Sequence, residues 1–467
     1  MSFLTGIRGI RLSRQRDVDM TTGNVAMHII RFSIPLLIGN LFQQLYNTVD
    51  TWVVGNYVSN EAFSAVGAVA PIVNMLIGSF TGLASGAGVV ISQFYGAGRN
   101  DKVQDAVHTS VMMTLILSIF FTAIGLLIAP LMLRFMDLHT NAVGDASTYL
   151  TIYFAGMIGL MVYNIGAGIL RAIGDSKRPF YYLVVCAVLN TLLDLLFVIV
   201  FKMGVAGVAY ATILSQFVSA TLVVITLIRT DSCVKLNFSK LCIHWSILKK
   251  ILFVGVPAAL QMAITAFSNV FVQSYINYFD TNMPAPDYMS GWTAYLKVDQ
   301  LLFLPMQSIA LATTTFVGQN LGKNQLARAK QGINRSLAIS MSATAIMMIP
   351  ILIFAPHIVA FFNDKPEVIA NGTMFLRTLT PFYLLCCFNQ IYASALRGAG
   401  NSRACMFIMV GSFVLFRQVY LFCMARICNE IIPIAMSYPA GWLVCSLLTM
   451  IYYHKATLGK NRLVEDN

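Results

Sequence analysis

Residues Ser33 to Val54, SIPLLIGNLFQQLYNTVDTWVV, are long and apolar enough to cross a bilayer as one helix. The stretch nevertheless contains an aspartate, Asp50. Three polar side chains lie on the same side of the helix, one and two turns before it: Gln43, Tyr46 and Asn47. An ionisable side chain at membrane depth costs about 2.5–3.5 kcal/mol on insertion scales and usually marks a functional site. The segment therefore predicts a membrane-spanning helix with a functional carboxylate.

Such apolar segments recur along the whole chain. Of its 467 residues, 57% are hydrophobic and only 11% are charged, and the mean hydropathy is +0.72. A soluble protein has about 25% charged residues, so this composition indicates a polytopic membrane protein. With roughly 20 apolar residues per span, the sequence predicts an all-α membrane fold of twelve transmembrane helices. Their centres lie near residues 42, 75, 121, 160, 190, 216, 264, 304, 347, 382, 414 and 443.

The net charge of +12 follows the expected membrane topology. The basic residues predicted on one side are Arg8, Arg11, Arg14, Arg16, Lys177, Arg178, Arg229, Lys235, Lys240, Lys249, Lys250, Lys323, Arg328, Lys330 and Arg335. The opposite loops hold Glu61, Asp137, Asp145, Asp280, Asp287, Asp364, Glu367 and Glu430, against Arg134, Lys202, Lys365 and Arg426. Because lysine and arginine concentrate in cytoplasmic loops, we expect both termini in the cytoplasm. The basic charge thus reflects topology in a lipid bilayer, and no nucleic-acid partner is expected.

Other functional classes have little support in the sequence. The first 25 residues are polar and basic without an apolar core, so we expect no cleaved signal peptide. The nine cysteines show no CxxC spacing, which argues against a disulfide framework or a zinc site. HExxH, GxSxG and P-loop motifs do not occur, so we expect neither an enzyme nor a cofactor.

The two halves of the chain repeat each other at a constant offset. An offset of 226 residues superposes Gln93 on Gln319 and Gly96 on Gly322, within the segments ISQFYGAGRNDKVQDAV and FVGQNLGKNQLARAKQGI. The same offset places LRAIGDSKRP on LRGAGNSRAC. One offset shared by several motifs indicates an internal duplication.

Each half then contains six spans, and both halves enter the membrane from the same side. Parallel halves of this kind usually move against each other around a central cavity, as in transporters. A duplication that only enlarged a structural protein is the alternative. We predict a cytoplasmic tail at 1–28, an N-lobe at 29–229, a linker at 230–247, a C-lobe at 248–455 and a second cytoplasmic tail at 456–467.

The repeat, the span number and the motifs together resemble the multidrug and toxic compound extrusion (MATE) family of bacterial secondary transporters. The resemblance rests on Gln-x-x-Gly after spans two and eight, on Leu-Arg-x-x-Gly after spans four and ten, and on Pro35 and Pro257 in spans one and seven. It covers nearly the whole chain. It implies two pseudo-symmetric six-helix bundles and export of drugs driven by an ion gradient.

Acidic residues within spans are the candidates for the site of the coupling ion. Span five places Asn190 and Asp194 on one helical face, and span six contains Thr212. If both spans pack against span one, these side chains meet Asp50 in a cluster of oxygen ligands. Two buried carboxylates this close favour a shared proton or a bound Na⁺. The resemblance assigns the first-half cation site to the same four residues, and hydrogen bonding between helices is the alternative role.

The second half offers no matching pair of acids. Spans seven and ten, which hold an additional acidic site in some relatives, contain no carboxylate in the central segments. Span eight contains Lys297 and Asp299, which lie two residues apart and do not face each other. Arg417 in span eleven is a candidate partner for Asp299, and Arg377 lies in span ten. Pairing within the protein and lining of the cavity are equally compatible with these charges.

Amide, aromatic and methionine side chains predict a substrate cavity between the halves. The candidates are Gln43, Tyr46, Asn47, Met157, Met161, Asn164, Gln261, Asn269, Tyr383, Asn389 and Gln390. Methionine adapts to many shapes and aromatic rings attract cations, so this lining suits flat, amphiphilic organic cations and drugs. Core packing is the alternative for the methionine and aromatic side chains.

The sequence thus predicts a monomeric antiporter in the plasma membrane that exports organic cations by a rocking motion of its halves. The alternative is a flippase for a polyprenyl-linked or other lipid precursor. Its pyrophosphate would require several basic side chains in the cavity, for which Lys297, Arg377 and Arg417 are the candidates. The compounds moved, and the choice between H⁺ and Na⁺, are left open.

Overall fold

The computed structural model describes residues 18–58, 60–135, 140–282, 287–428, 430–456, 458–460 and 462–464. These residues form helices and connecting turns, with no β-strand in this part of the chain. The helices of the first half are α1 (Val25–Tyr57), α2 (Asn60–Gly96), α3 (Asn100–Phe135), α4 (Thr140–Ala155), α5 (Met157–Ala172), α6 (Lys177–Asp194) and α7 (Gly204–Arg229). Those of the second half are α8 (Trp245–Asn282), α9 (Tyr288–Gly322), α10 (Leu326–Ala360), α11 (Pro366–Leu379), α12 (Tyr383–Gly398), α13 (Ser402–Val410), α14 (Arg417–Ile427), α15 (Ile431–Ala435) and α16 (Ser437–Lys455).

The predicted all-α membrane fold is confirmed. Within the described residues, ten helices are long and apolar enough to cross a membrane, and Val143–Ala155 with Met157–Ala172 forms an eleventh span if this pair, bent by 48°, is counted as one. The span predicted near residue 382 consists of α11 and α12, separated by a 3₁₀ turn at Thr380–Phe382. This interrupted helix is not among the segments that meet the length and hydropathy test.

Several predicted charges lie outside the described residues or have side chains that are not described. They are Arg8, Arg11, Arg14, Arg16, Asp137, Glu61, Arg134 and Asp280. The tails predicted at 1–28 and 456–467 are described only in part.

The long continuous helices are explained by the hydrocarbon core of the bilayer. In hydrocarbon every backbone polar group must be satisfied within the protein, and a continuous helix does this locally. Pro35 and Pro257 lie inside α1 and α8, where each removes one such hydrogen bond. Gly156 separates α4 from α5 at the 48° bend. Kinks commonly occur at proline and glycine, and we assign the bend to Gly156.

Each half has an apolar core of its own. In the first half, Val54 of α1, Leu150 of α4 and Val208 of α7 belong to one buried cluster. In the second half, Trp292 of α9 and Leu376 of α11 belong to another. Each half therefore buries apolar side chains of its own.

Two further clusters join the halves through the ends of the chain. Met20 and Ile29 pack with Phe316 of the second half. Leu463 and Ile251 belong to a cluster centred on the first half. The lobe boundaries predicted at 29–229 and 248–455 stay predictions, since each bundle is also packed against a segment of the other half.

The halves meet at one end of the molecule, here called the terminal side because residues 18–24, 458–460 and 462–464 lie there. The side-chain amide of Gln93 donates to the carbonyl of Gly398 at 2.9 Å, and that of Gln319 donates to the carbonyl of Ala172 at 2.8 Å. Gly398 follows Ala172 by the same 226 residues that separate the two glutamines. The Gln-x-x-Gly motifs therefore form a symmetrical pair of bonds between the halves, which we call the seam.

The ends of the chain complete the hydrogen bonds of the seam. The backbone N–H of Met20 donates to the side-chain oxygen of Gln319 at 3.0 Å. The backbone N–H of Leu463 donates to the side-chain oxygen of Gln93 at 2.8 Å. Both buried amide side chains thus have partners for donor and acceptor, as buried polar groups require.

Glycines allow the two backbones to approach closely at the seam. A Cβ atom added to Gly96 would overlap the backbone of Gln319, and one added to Gly322 would overlap the backbone of Gln93. Further along α2, Gly86 faces the backbone of α8 in the same way. Because backbone atoms cannot rotate aside as side chains do, these contacts require glycine.

Candidate functional site

The structure brings the four predicted cation-site residues together inside the first half. Asp50 comes from α1, Asn190 and Asp194 come from α6, and Thr212 comes from α7. The Thr212 hydroxyl lies 3.5 Å from a carboxylate oxygen of Asp50, and it also donates to the carbonyl of Val208 at 3.0 Å. The Asp50 carboxylate also interacts with the side chains of Asp194 and Asn190. The packing of spans one, five and six that the sequence required is therefore present.

Most of the cluster is buried, and several of its polar atoms have no partner among the described residues. Asn190 and Asp194 have no exposed surface. One oxygen of Asp50, both oxygens of Asp194 and both polar atoms of the Asn190 amide lack a hydrogen-bond partner of normal geometry among the described residues. Buried polar groups without partners are costly, and oxygen ligands suit a proton or a hard cation. The arrangement fits the binding of a coupling ion.

A helix irregularity lies next to this cluster. The chain winds as a π-helix over Leu195–Val200, directly after Asp194. A second π-helical segment, Gly411–Phe416, occupies span eleven of the other half and ends directly before Arg417. Such segments are frequent at functional sites because they rotate the side chains that follow or precede them. Hydropathy and spacing gave no sign of either one.

Two tyrosines that the sequence analysis did not single out pack beside the cluster. Tyr149 and Tyr153 of α4 are buried, and their rings stack with centroids 6.1 Å apart. Tyr149 lies close enough to interact electrostatically with both Asp50 and Asp194. The spacing of Tyr149 and Tyr153 could have identified them in the sequence, because residues four apart lie on one face of a helix.

A cavity of about 650 Å³ lies between the halves. Six of the amide side chains predicted for substrate binding line it: Gln43, Asn164, Gln261, Asn269, Asn389 and Gln390. The other candidates are not among its lining residues: Tyr46, Asn47, Met157, Met161 and Tyr383. Of these, Asn47 is exposed and the rest are buried in the bundles. The cavity has the volume of a drug-binding site, and the substrate-binding role of all eleven side chains stays a prediction.

The charged residues of the second half are arranged differently from the expected pairing. Asp299 lines the cavity and accepts hydrogen bonds from the hydroxyls of Tyr383 and Tyr295. Arg417, its candidate partner, instead donates to Ser268 at 2.7 Å and to Asn269 at 2.8 Å. The tyrosine hydroxyls of α9 and α12, and not the guanidinium of Arg417, are the partners of Asp299. Spacing along one helix could not predict the contact with Tyr383, because it joins different helices.

Of the three basic residues considered for the cavity, only Arg417 lines it. Lys297 and Arg377 are exposed and do not line it. Arg171, Arg397 and Arg417 do line it. The first two are the arginines of the Leu-Arg-x-x-Gly motifs, which the sequence analysis used only to establish the repeat. Their identity as matching arginines at the ends of spans four and ten was the signal that could have identified them.

Comparison with known proteins agrees with this architecture. The sequence model of the MatE family matches residues 35–196 and 257–422. The probable multidrug resistance protein YpnP of Bacillus subtilis is 28% identical over 402 residues, which cover 86% of this chain and 89% of the relative. An FAD transporter of Shewanella oneidensis is 22% identical over 396 residues, covering 83% and 85%. A solved structure of the outward-facing conformation of a multidrug resistance MATE family transporter of the MOP superfamily matches with a TM-score of 0.88 at 24% identity, over 95% of this chain and 98% of that chain.

Proposed function

Since the chain belongs to the MatE family of membrane transporters, we propose that it exports amphiphilic organic compounds, many of them cationic drugs, in exchange for H⁺ or Na⁺. The observation that carries this proposal is the cluster of Asp50, Asn190, Asp194 and Thr212. Within the described residues, one oxygen of Asp50, both oxygens of Asp194 and the Asn190 amide are buried without hydrogen-bond partners, in a bundle that adjoins a drug-sized cavity. A relative named as a probable multidrug resistance protein supports the same class of substrate. Another relative is named an FAD transporter, so substrates that are not cations also occur among similar proteins.

The orientation follows from the basic residues of the terminal side. We place this side in the cytoplasm of a plasma-membrane protein, as the positive-inside rule favours. The seam between Gln93, Gly398, Gln319 and Ala172 then closes the cavity toward the cytoplasm. The conformation described here corresponds to an outward-facing state of a monomer.

In this state an external cation reaches Asp50 and Asp194. Neutralising the pair lowers the cost of burying it, so the helices of the first half repack and the affinity for the exported compound falls. The halves then rock, and the ion is released on the cytoplasmic side. A membrane potential of 100 mV supplies about 2.3 kcal/mol per charge, and a tenfold gradient costs about 1.4 kcal/mol. One net positive charge moved inward per cycle, as when one ion exchanges for a neutral compound or two ions exchange for a monovalent cation, is therefore sufficient for export against more than a tenfold gradient.

Proteoliposomes test the coupling directly. Purified protein is reconstituted with ethidium, and a pH gradient and a sodium gradient are imposed separately. We expect ethidium efflux with at least one of the two gradients and none without a gradient. Equal efflux rates with and without both gradients would contradict antiport.

Thr212 gives a graded test of the cation site. Thr212→Val removes the hydroxyl that lies 3.5 Å from Asp50 and preserves the shape of the side chain. We expect the apparent affinity for the coupling ion to fall about two- to tenfold, because one neutral ligand contributes about 0.5–1.5 kcal/mol. The maximum export rate should change little. Titration of the efflux rate against the coupling ion measures this, with Thr221→Val, an exposed threonine of the same helix, as the control.

A further inference from the structure

The charge of the cavity is not the charge expected of a site for cations alone. Four charged residues line it: Arg171, Asp299, Arg397 and Arg417. The one acid among them, Asp299, is held by two tyrosine hydroxyls of the second half. Asp50 and Asp194 are not lining residues. The described lining therefore carries three positive charges against one negative charge.

Arg171 and Arg397 occupy equivalent places in the two halves. They are separated by the 226 residues of the repeat and lie in the last turn of α5 and of α12. The residues that follow them are Ala172 and Gly398, whose carbonyls accept the two hydrogen bonds of the seam. The two arginines thus stand on either side of the seam, one from each half, at the end of the cavity nearest the terminal side.

Neither arginine is neutralised by an acidic side chain within the described ranges. Arg397 donates to the hydroxyl of Ser394, on its own helix, at 3.1 Å. Arg171 lies near the hydroxyl of Tyr163, which donates to the carbonyl of Pro179 at 3.2 Å. In the described part of the chain, neither guanidinium forms an ion pair with an acidic side chain. Arg397 is only 9% exposed, and an unpaired arginine at such a place is costly unless it serves a ligand.

We propose that Arg171 and Arg397 bind the carboxylate or phosphate group of a transported organic anion at this end of the cavity. The guanidinium group presents paired N–H donors that match both of these groups. The aromatic part of the compound then lies against the rings that line the same cavity, Phe180 and Phe303 among them. The substrate class is a soluble, amphiphilic aromatic acid. This inference rests on the proposed export function and adds anions to its substrates.

The two arginines also connect binding with the movement of the halves. An anion taken up from the cytoplasm is held by one residue from each half, so it bridges the seam and favours the conformation in which the halves are closed there. Arg417 on the wall of the second half is not part of this pair, since its guanidinium already donates to Ser268 and Asn269.

Two dyes with the same ring system test the proposal. Fluorescein is anionic, and tetramethylrosamine is a cation built on the same xanthene ring. Their binding to the full-length protein in phosphatidylcholine nanodiscs is measured by fluorescence anisotropy. We expect Arg171→Gln and Arg397→Gln each to weaken fluorescein binding about tenfold, as loss of one charged hydrogen-bond donor does, and the double variant about a hundredfold. Tetramethylrosamine binding should change less than about twofold.

Control variants and lipids distinguish the effect of charge from an effect on the fold, and a soluble ligand from a lipid headgroup. Arg377→Gln, an exposed arginine outside the cavity, should leave both dyes unaffected. Arg171→Lys and Arg397→Lys should each preserve much of the fluorescein affinity. Loss of both dyes in the glutamine variants would indicate a structural role, and wild-type fluorescein affinity in the double variant would also overturn the proposal. Competition by phosphatidylglycerol in the nanodiscs would show that a lipid headgroup fills the site and would overturn a soluble substrate.

The same two dyes distinguish failure of the anion site from failure of the proposed export function. If the wild-type protein binds tetramethylrosamine and exports it but does not bind fluorescein, only the anion site is wrong. If it neither binds nor exports either dye, the export function itself fails.

Discussion

Replacing Asp50 with asparagine is expected to abolish export driven by an ion gradient while leaving the protein folded and in the membrane. Asparagine has nearly the same shape as aspartate, so the packing of α1 against α6 and α7 is preserved. It has no charge for a proton or Na⁺ to neutralise, so the ion no longer changes the state of the bundle. Coupling free energies between two sites are typically about 1–3 kcal/mol, which corresponds to a change of about 5- to 150-fold in the affinity for the exported compound when the ion binds.

The experiment compares efflux under the gradient with binding of the exported compound. Asp50→Asn should still bind ethidium, because Asp50 does not line the cavity, but efflux should fall to the rate without a gradient. Asp194→Asn should behave in the same way. Asp231→Asn, in the exposed linker, is the matched control and should be unaffected. Gradient-driven efflux at the normal rate in Asp50→Asn would show that the coupling ion binds elsewhere.

Gly86→Ala is expected to open the terminal side and to reduce export. The added methyl group would lie 2.7 Å from the carbonyl oxygen of Ile251 and would also overlap the backbone of Gly255. Overpacking of this kind costs about 1–3 kcal/mol, which exceeds the gain of up to about 1 kcal/mol in helix propensity from glycine to alanine. The conformation in which α2 and α8 are in close contact is therefore destabilised relative to the conformation in which the terminal side is open.

Hydrogen exchange measures this shift. In Gly86→Ala we expect faster deuterium uptake in residues 93–99 and 319–325, which lie at the seam, together with a fall in the efflux rate. Gly67→Ala is the matched control on the same helix, because an added methyl group there meets no atom within 4 Å. Unchanged uptake at the seam in Gly86→Ala would indicate that α2 and α8 separate by another route.

The membrane class, the duplication and the carboxylate cluster could be predicted from the sequence. The predictions depended on local rules: span length, side-chain spacing on one helix and a constant offset between repeats. Asn190 and Asp194 had to share a face of α6 because they are four residues apart. Two of the predicted spans are not single continuous helices, since span ten is interrupted at Thr380–Phe382 and span four is bent at Gly156.

Which helical faces meet was decided by the tertiary structure. The sequence could not show that Tyr383 contacts Asp299 and does not line the cavity, nor that Arg417 binds Ser268 and Asn269. It also could not show that the arginines of the repeat stand beside the seam. Contacts between helices depend on the sum of many small packing energies across the bundle, whereas spacing within a helix is fixed by the geometry of its backbone. The sequence therefore determined which side chains each helix offers, and the packing of the two halves determined which of them meet.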